Sequence, residues 1–204
     1  MTRPTNARLA GMTFLVYIAA GVSGMAIAAG PLLSVVLSLV MCFSAFVLGV
    51  TLYALTRDLD PELALLAMIC RIGEGVLGAA PMPVALAMRS LGQQAAGGSD
   101  APAFHVLTLL MARARGFNVA LGATFFAIGS LLFCWLLLRG RMIPGALARV
   151  GVFASAILVV ALPFQLAGAL TGVATQLMWI PMAAFEIPLA VWLIARGVKQ
   201  PTPR

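Results

Sequence analysis

Residues Leu9–Thr56, LAGMTFLVYIAAGVSGMAIAAGPLLSVVLSLVMCFSAFVLGVTLYALT, contain no Asp, Glu, Lys, Arg or His. A membrane-crossing helix needs about 20 mostly apolar residues, so this stretch holds two. Gly30-Pro31 divides it, because Pro rarely continues a helix and Gly permits a reversal. The first span is expected at Leu9–Ala29 and the second at Leu32–Thr56. The basic lead with Arg3 and Arg8, followed by Ala26-Ile27-Ala28, also resembles a cleavable signal peptide. The apolar stretch from Met12 to Ala28 is longer than the 7–15 residues usual there, which favours a retained span.

The whole chain has the same character. Of its 204 residues, 62% are hydrophobic and 9% charged, with a mean hydropathy of +1.07. Soluble domains are about 25% charged, and thirteen Lys and Arg with six Asp and Glu cannot clothe a water-soluble surface. A net charge of +7 points to nucleic acid in a soluble protein. Here the bases sit at the ends of apolar runs, where they mark topology, and no nucleic-acid partner is expected. Cys42, Cys70 and Cys134 are odd in number, far apart and each inside an apolar run, so neither a disulfide framework nor a metal site follows.

Working towards the C-terminus, Arg57-Asp58-Leu59-Asp60 is a charged connector. Pro61-Glu62 is a good helix start, with Pro at the first position and an acid in the first turn. The third span is placed at 62–80, where Pro81 and Pro83 break or kink it. Arg89 to Ala103 reads as a flexible loop. Phe104–Arg115 is too short to cross and ends in two arginines, so a short interfacial helix is expected. The remaining spans are placed at 116–138, 146–170 and 177–195. Within the fifth, Gly168 and Gly172 form a small-xxx-small contact motif. The fold class is therefore all-α: one integral membrane domain over residues 1–204, a bundle of six transmembrane helices plus one interfacial helix.

Orientation follows from the bases. With the N-terminus inside, the inner segments hold Arg3, Arg8, Arg57, Arg139, Arg141, Arg149, Arg196, Lys199 and Arg204. The outer ones hold Arg89, Arg113 and Arg115. The positive-inside rule then puts both termini in the cytoplasm.

Three charges remain inside spans: Arg71 and Glu74 in Ile69-Cys70-Arg71-Ile72-Gly73-Glu74-Gly75, and Glu186. Each such charge costs roughly 2.5–3.5 kcal/mol on insertion scales, so it faces a partner, a cavity or water. Arg71 lies nine residues into the third span, about 14 Å deep at 1.5 Å per residue. Glu186 lies ten residues before Arg196, about 15 Å from the same side. Glu74, three residues after Arg71, shares its helical face. One polar cluster of Arg71, Glu74 and Glu186 is expected. Gly73, Gly75 and Gly78 would let a neighbouring backbone approach it. Pro181 and Pro188 would free the carbonyls of Leu177 and Ala184 on either side of Glu186.

Other candidates are weaker. His105, the sole histidine, lies outside the spans, and one His with two distant Glu does not make a metal set. No H-E-x-x-H, G-x-S-x-G or P-loop pattern occurs, and no catalytic residue or cofactor is assigned. Arg113 and Arg115 are candidate lipid-phosphate contacts, although a solvated helix face is the commoner reading. Trp135, Trp179 and Trp192 lie near span ends, as interfacial anchors do.

The chain resembles a bacterial six-helix membrane family catalogued as domain of unknown function 4386. The likeness rests on Ala7-Arg8-Leu9-Ala10-Gly11, Leu52-Tyr53-Ala54-Leu55, Arg71 with Glu74, Pro144 to Gly151, Glu186, Leu189, Trp192-Leu193 and Arg196-Gly197-Val198-Lys199. It implies six spans and no established activity. The leading expectation is a non-enzymatic protein of the bacterial inner membrane whose charged cluster fixes helix packing. The alternatives are a carrier of a small or amphiphilic solute, proton-linked through Glu74 or Glu186, and an intramembrane enzyme acting on a lipid-like substrate. Membrane lipids are the expected partners.

Overall fold

A computed structural model describes residues 2–26, 31–95 and 101–200. Among the described residues eight helices follow one another: α1 Arg3–Ala26, α2 Pro31–Thr56, α3 Pro61–Ala79, α4 Met82–Ala95, α5 Ala101–Arg139, α6 Gly145–Leu166, α7 Ala174–Leu177 and α8 Ile180–Ala195. Six runs of these residues are long and apolar enough to cross a membrane: Arg3–Gly24, Leu32–Thr56, Pro61–Met88, Phe104–Arg139, Gly145–Leu166 and Ala174–Ala195. The protein is an all-helical, multi-pass membrane protein.

The spanning helices form a closed ring. Each of α1, α2, α3, α5, α6 and α8 packs on the next, and α8 closes back onto α1. Apolar chains such as Phe43, Phe153 and Val191 point outward, as a bilayer permits. Leu48, Leu55, Leu137, Leu158 and Leu193 fill the middle. Lipid is as apolar as leucine, so close helix contact relies on small residues. Gly11 is one: a Cβ there would meet the Ala190 carbonyl oxygen at 2.7 Å.

One end of the bundle is knitted by polar contacts. Asp60 caps α3 by accepting from the Leu63 amide at 3.1 Å, and Pro61 and Glu62 occupy the first turn as expected. Arg3 Nη1 pairs with Asp58 at 3.0 Å and Arg139 Nη1 with Asp60 at 3.3 Å. The Lys199 amide donates to the Met142 carbonyl at 2.9 Å. These contacts bring the start of α1, the α2–α3 and α5–α6 links and the C-terminal tail to one face.

The other end departs from expectation. Phe104–Arg115 is no separate interfacial helix but the first part of α5. Gly116 alone does not end a helix, and no Pro or capping residue stands beside it. Nor is Arg89–Ala103 wholly a loop, since α4 runs on to Ala95; residues 96–100 lie outside the described ones. At 1.5 Å per residue the 39-residue α5 is about 58 Å long, against about 30 Å of hydrocarbon. Together α4 and the start of α5 form an arm reaching beyond the ring.

The fifth span ends at Leu166 because Gly168 (φ 76) and Gly172 (φ 68) take left-handed turn conformations; no atom lies within 4 Å of a Cβ placed at either. Pro181 stands in the first turn of α8 and does not interrupt it, whereas Pro188 lies inside. The expected Gly30-Pro31 turn and the Ala26-Ile27-Ala28 motif fall partly on residues 27–30, which are outside the described ones.

Candidate functional site

Arg71 projects from α3 into the ring and is 1% exposed, the largest of the fully buried side chains. Room for it comes from glycines on both flanking spans. A Cβ on Gly49 of α2 would stand 3.2 Å from the Arg71 Cβ, and one on Gly129 of α5 would stand 3.5 Å from its Cδ. Larger residues there would drive α2 or α5 outward.

The guanidinium is neutralised on its own helix. Its Nη1 lies 2.9 Å from Glu74 Oε2, an i,i+3 pair. The other Glu74 oxygen accepts from the Tyr17 hydroxyl of α1 at 2.5 Å. The Arg71 Cζ lies 5.3 Å from the Tyr17 ring centroid and 4.9 Å from that of Phe126 on α5, within range of cation–π attraction. The Tyr17 and Phe126 rings are parallel at 6.5 Å, and Phe126 in turn meets Trp179 at 5.8 Å. One ion pair thereby draws in side chains of three spans.

Glu186 is brought to the same region from α8 and is 6% exposed. It feels the charges of both Arg71 and Glu74, and Cys134 and Tyr17 feel its own. It makes no ion pair or hydrogen bond with a described residue. Within the expected cluster, the ion pair that forms among the described residues is therefore Arg71–Glu74. The reason is topological: α8 takes its main packing from α1 and α6 and faces α3 across the ring.

The cluster is under-bonded. Among the described residues Arg71 Nε and Nη2 have no hydrogen-bond partner, and its Nη1 contact with Glu74 is too poorly aligned to count as one. Buried polar groups are normally satisfied, so these donors and the Glu186 carboxyl form a set with spare capacity.

Of the expected approach points, Gly73 lies against Phe125 and Gly75 against Phe46 and the Cys42 carbonyl, while a Cβ on Gly78 would meet no described atom within 4 Å. Arg113 and Arg115 are exposed on α5, away from the cluster, as is His105. Among the described residues no three His, Cys, Asp or Glu side chains converge as a metal-ligand set. Trp179 is a packing partner of Phe126 and not simply an interfacial anchor. Tyr17 and Phe126 were not legible as members of the site. The one available signal was a tyrosine hydroxyl in mid-span, which needs a partner when buried.

A family model described as Domain of unknown function (DUF4386) matches residues 9–197. The chain belongs to that family. No curated protein and no solved structure matches it.

Proposed function

We propose that this member of the family is a non-enzymatic protein of a bacterial cytoplasmic membrane, both termini cytoplasmic, whose Arg71–Glu74 pair fixes how its spans pack. The observation that carries this reading is the Tyr17 hydroxyl, which ties α1 to the ion pair on α3 while Phe126 of α5 lies against the same guanidinium. Ion pairs can specify an arrangement without adding net stability. The orientation rests on the sequence, which has nine basic residues in the expected inner segments against three in the outer ones.

Breaking a buried pair from one side costs about 3–5 kcal/mol, whereas replacing both members by apolar residues of similar volume is often neutral. Glu74→Leu alone should therefore lower the melting midpoint in detergent sharply, and the double substitution Arg71→Met, Glu74→Leu should recover most of it. A single substitution without effect would end this reading.

A second reading is favoured by one observation, the buried Glu186, which makes no ion pair or hydrogen bond with a described residue. With two acids and one base in the cluster, one carboxyl is in excess and is free to exchange a proton, as in a proton-linked carrier of a small or amphiphilic solute. Glu186→Gln separates the two. On the carrier reading the protein folds normally and proton-driven solute uptake by reconstituted vesicles is lost. On the packing reading wild type and variant alike show no such uptake.

A further inference from the structure

One face of α5 belongs to the ring, where Phe126, Phe133, Leu136 and Leu137 are buried. The face turned away from the ring is also apolar and keeps a register of its own. Leu107, Leu110, Ala114, Phe117 and Leu121 follow one another at spacings of three and four residues, and Ile128 and Trp135 continue the register at intervals of seven. Phe117 is 61% exposed, Leu110 58% and Trp135 49%. No charged residue stands in the series; Arg113 and Arg115 lie beside it. The Asn118 side-chain amide donates to the Leu77 carbonyl, which clamps α5 to the last turn of α3 and fixes how it is turned about its axis.

The level of this seam decides what can cover it. Counted from Arg139, Leu121 stands about 27 Å along α5, Leu110 about 44 Å and Leu107 about 48 Å. A bilayer has about 30 Å of hydrocarbon and about 40–45 Å with its headgroups. Acyl chains therefore cover the lower part of the seam and leave its upper end bare. A water-soluble partner would meet the upper end and could not follow the seam down. A spanning helix that itself outruns the bilayer covers the whole length, and the 39-residue α5 is such a helix. A second copy in the same membrane presents the same seam at the same height and in the same direction. Apolar side chains alternating at three and four residues interlock between two parallel helices, and the arginines beside the seam stay at the edge of the contact.

We propose that the protein dimerises in the membrane through this seam, the α5 helices of two copies running parallel from Trp135 to Leu107. The interface is separate from the Arg71–Glu74–Glu186 cluster and does not depend on either reading of it.

The test uses the full chain in phosphatidylcholine vesicles. Cys42, Cys70 and Cys134 are buried, so an introduced exposed cysteine supplies the reactive thiol. Mild oxidation should link Leu110→Cys, and likewise Phe117→Cys, into disulfide-bonded dimers. Leu109→Cys, at nearly the same level but more than a quarter of a turn round the helix, should stay unlinked because its two copies stand too far apart for a disulfide. Leu110→Lys puts its charge in water in the monomer and in the contact in the dimer, so it should weaken dimerisation about tenfold or more. Single-molecule photobleaching across a series of protein-to-lipid ratios reads that change, and circular dichroism checks that helix content is unchanged. Equal linking at the two neighbouring cysteines, a wild type that stays monomeric throughout the series, or a Leu110→Lys dimer as tight as the wild type would each overturn the proposal.

Discussion

Replacing Tyr17 by Phe removes one oxygen and leaves the ring in place. The hydroxyl donates to Glu74 at 2.5 Å, and a hydrogen bond to a charged group contributes about 1.5–3 kcal/mol. Interhelical hydrogen bonds in membranes measure lower, about 0.6 kcal/mol on average and up to about 1.7, because the separated helices find other partners. This bond is short and its acceptor lies beside a cation that also touches the tyrosine ring. The upper part of the membrane range therefore applies, and Tyr17→Phe should cost about 1.5 kcal/mol. The cation–π contact survives, so the loss should not exceed that of Glu74→Gln. In the Glu74→Gln background the acceptor is weakened, and Tyr17→Phe should then cost markedly less. Reversible unfolding in mixed micelles, followed by helical circular dichroism on the four members of the cycle, reads the coupling directly. Additivity within about 0.5 kcal/mol would mean that the two groups do not interact, and the cross-helix tie would be refuted.

Gly11→Ala places a Cβ 2.7 Å from the Ala190 carbonyl oxygen and 2.8 Å from Ile194. Overpacking of about 1–3 kcal/mol should outweigh the roughly 1 kcal/mol that Ala gains in helix propensity, lowering the melting midpoint; a raised midpoint would show that α1 and α8 do not close the ring. Asp60→Ala removes the cap of α3 and should destabilise by about 1 kcal/mol in the same assay. The half-exposed Arg139 pair adds little to that loss. Cys42, Cys70 and Cys134 are all buried, so a maleimide should label none in the folded protein and all three after denaturation. Rapid labelling of Cys134 under native conditions would contradict its 3% exposure.

The sequence alone determined the spans, because an uncharged run of bilayer length has no other stable home, and it determined the start of α3, because Asp60-Pro61-Glu62 satisfies a helix terminus locally. It also singled out Arg71, Glu74 and Glu186 as charges inside spans, and all three are buried within the ring. The tertiary structure decided which charge meets which. Depth says nothing of position around a ring, so Arg71 turned to Glu74 on its own helix, and Tyr17 and Phe126 came in from spans whose apolar pattern does not distinguish one face from another. The arm was equally hidden. A helix can outrun the bilayer wherever another helix packs beside it, and the Asn118 clamp on Leu77 is a contact at a sequence separation of 41 that no local pattern encodes.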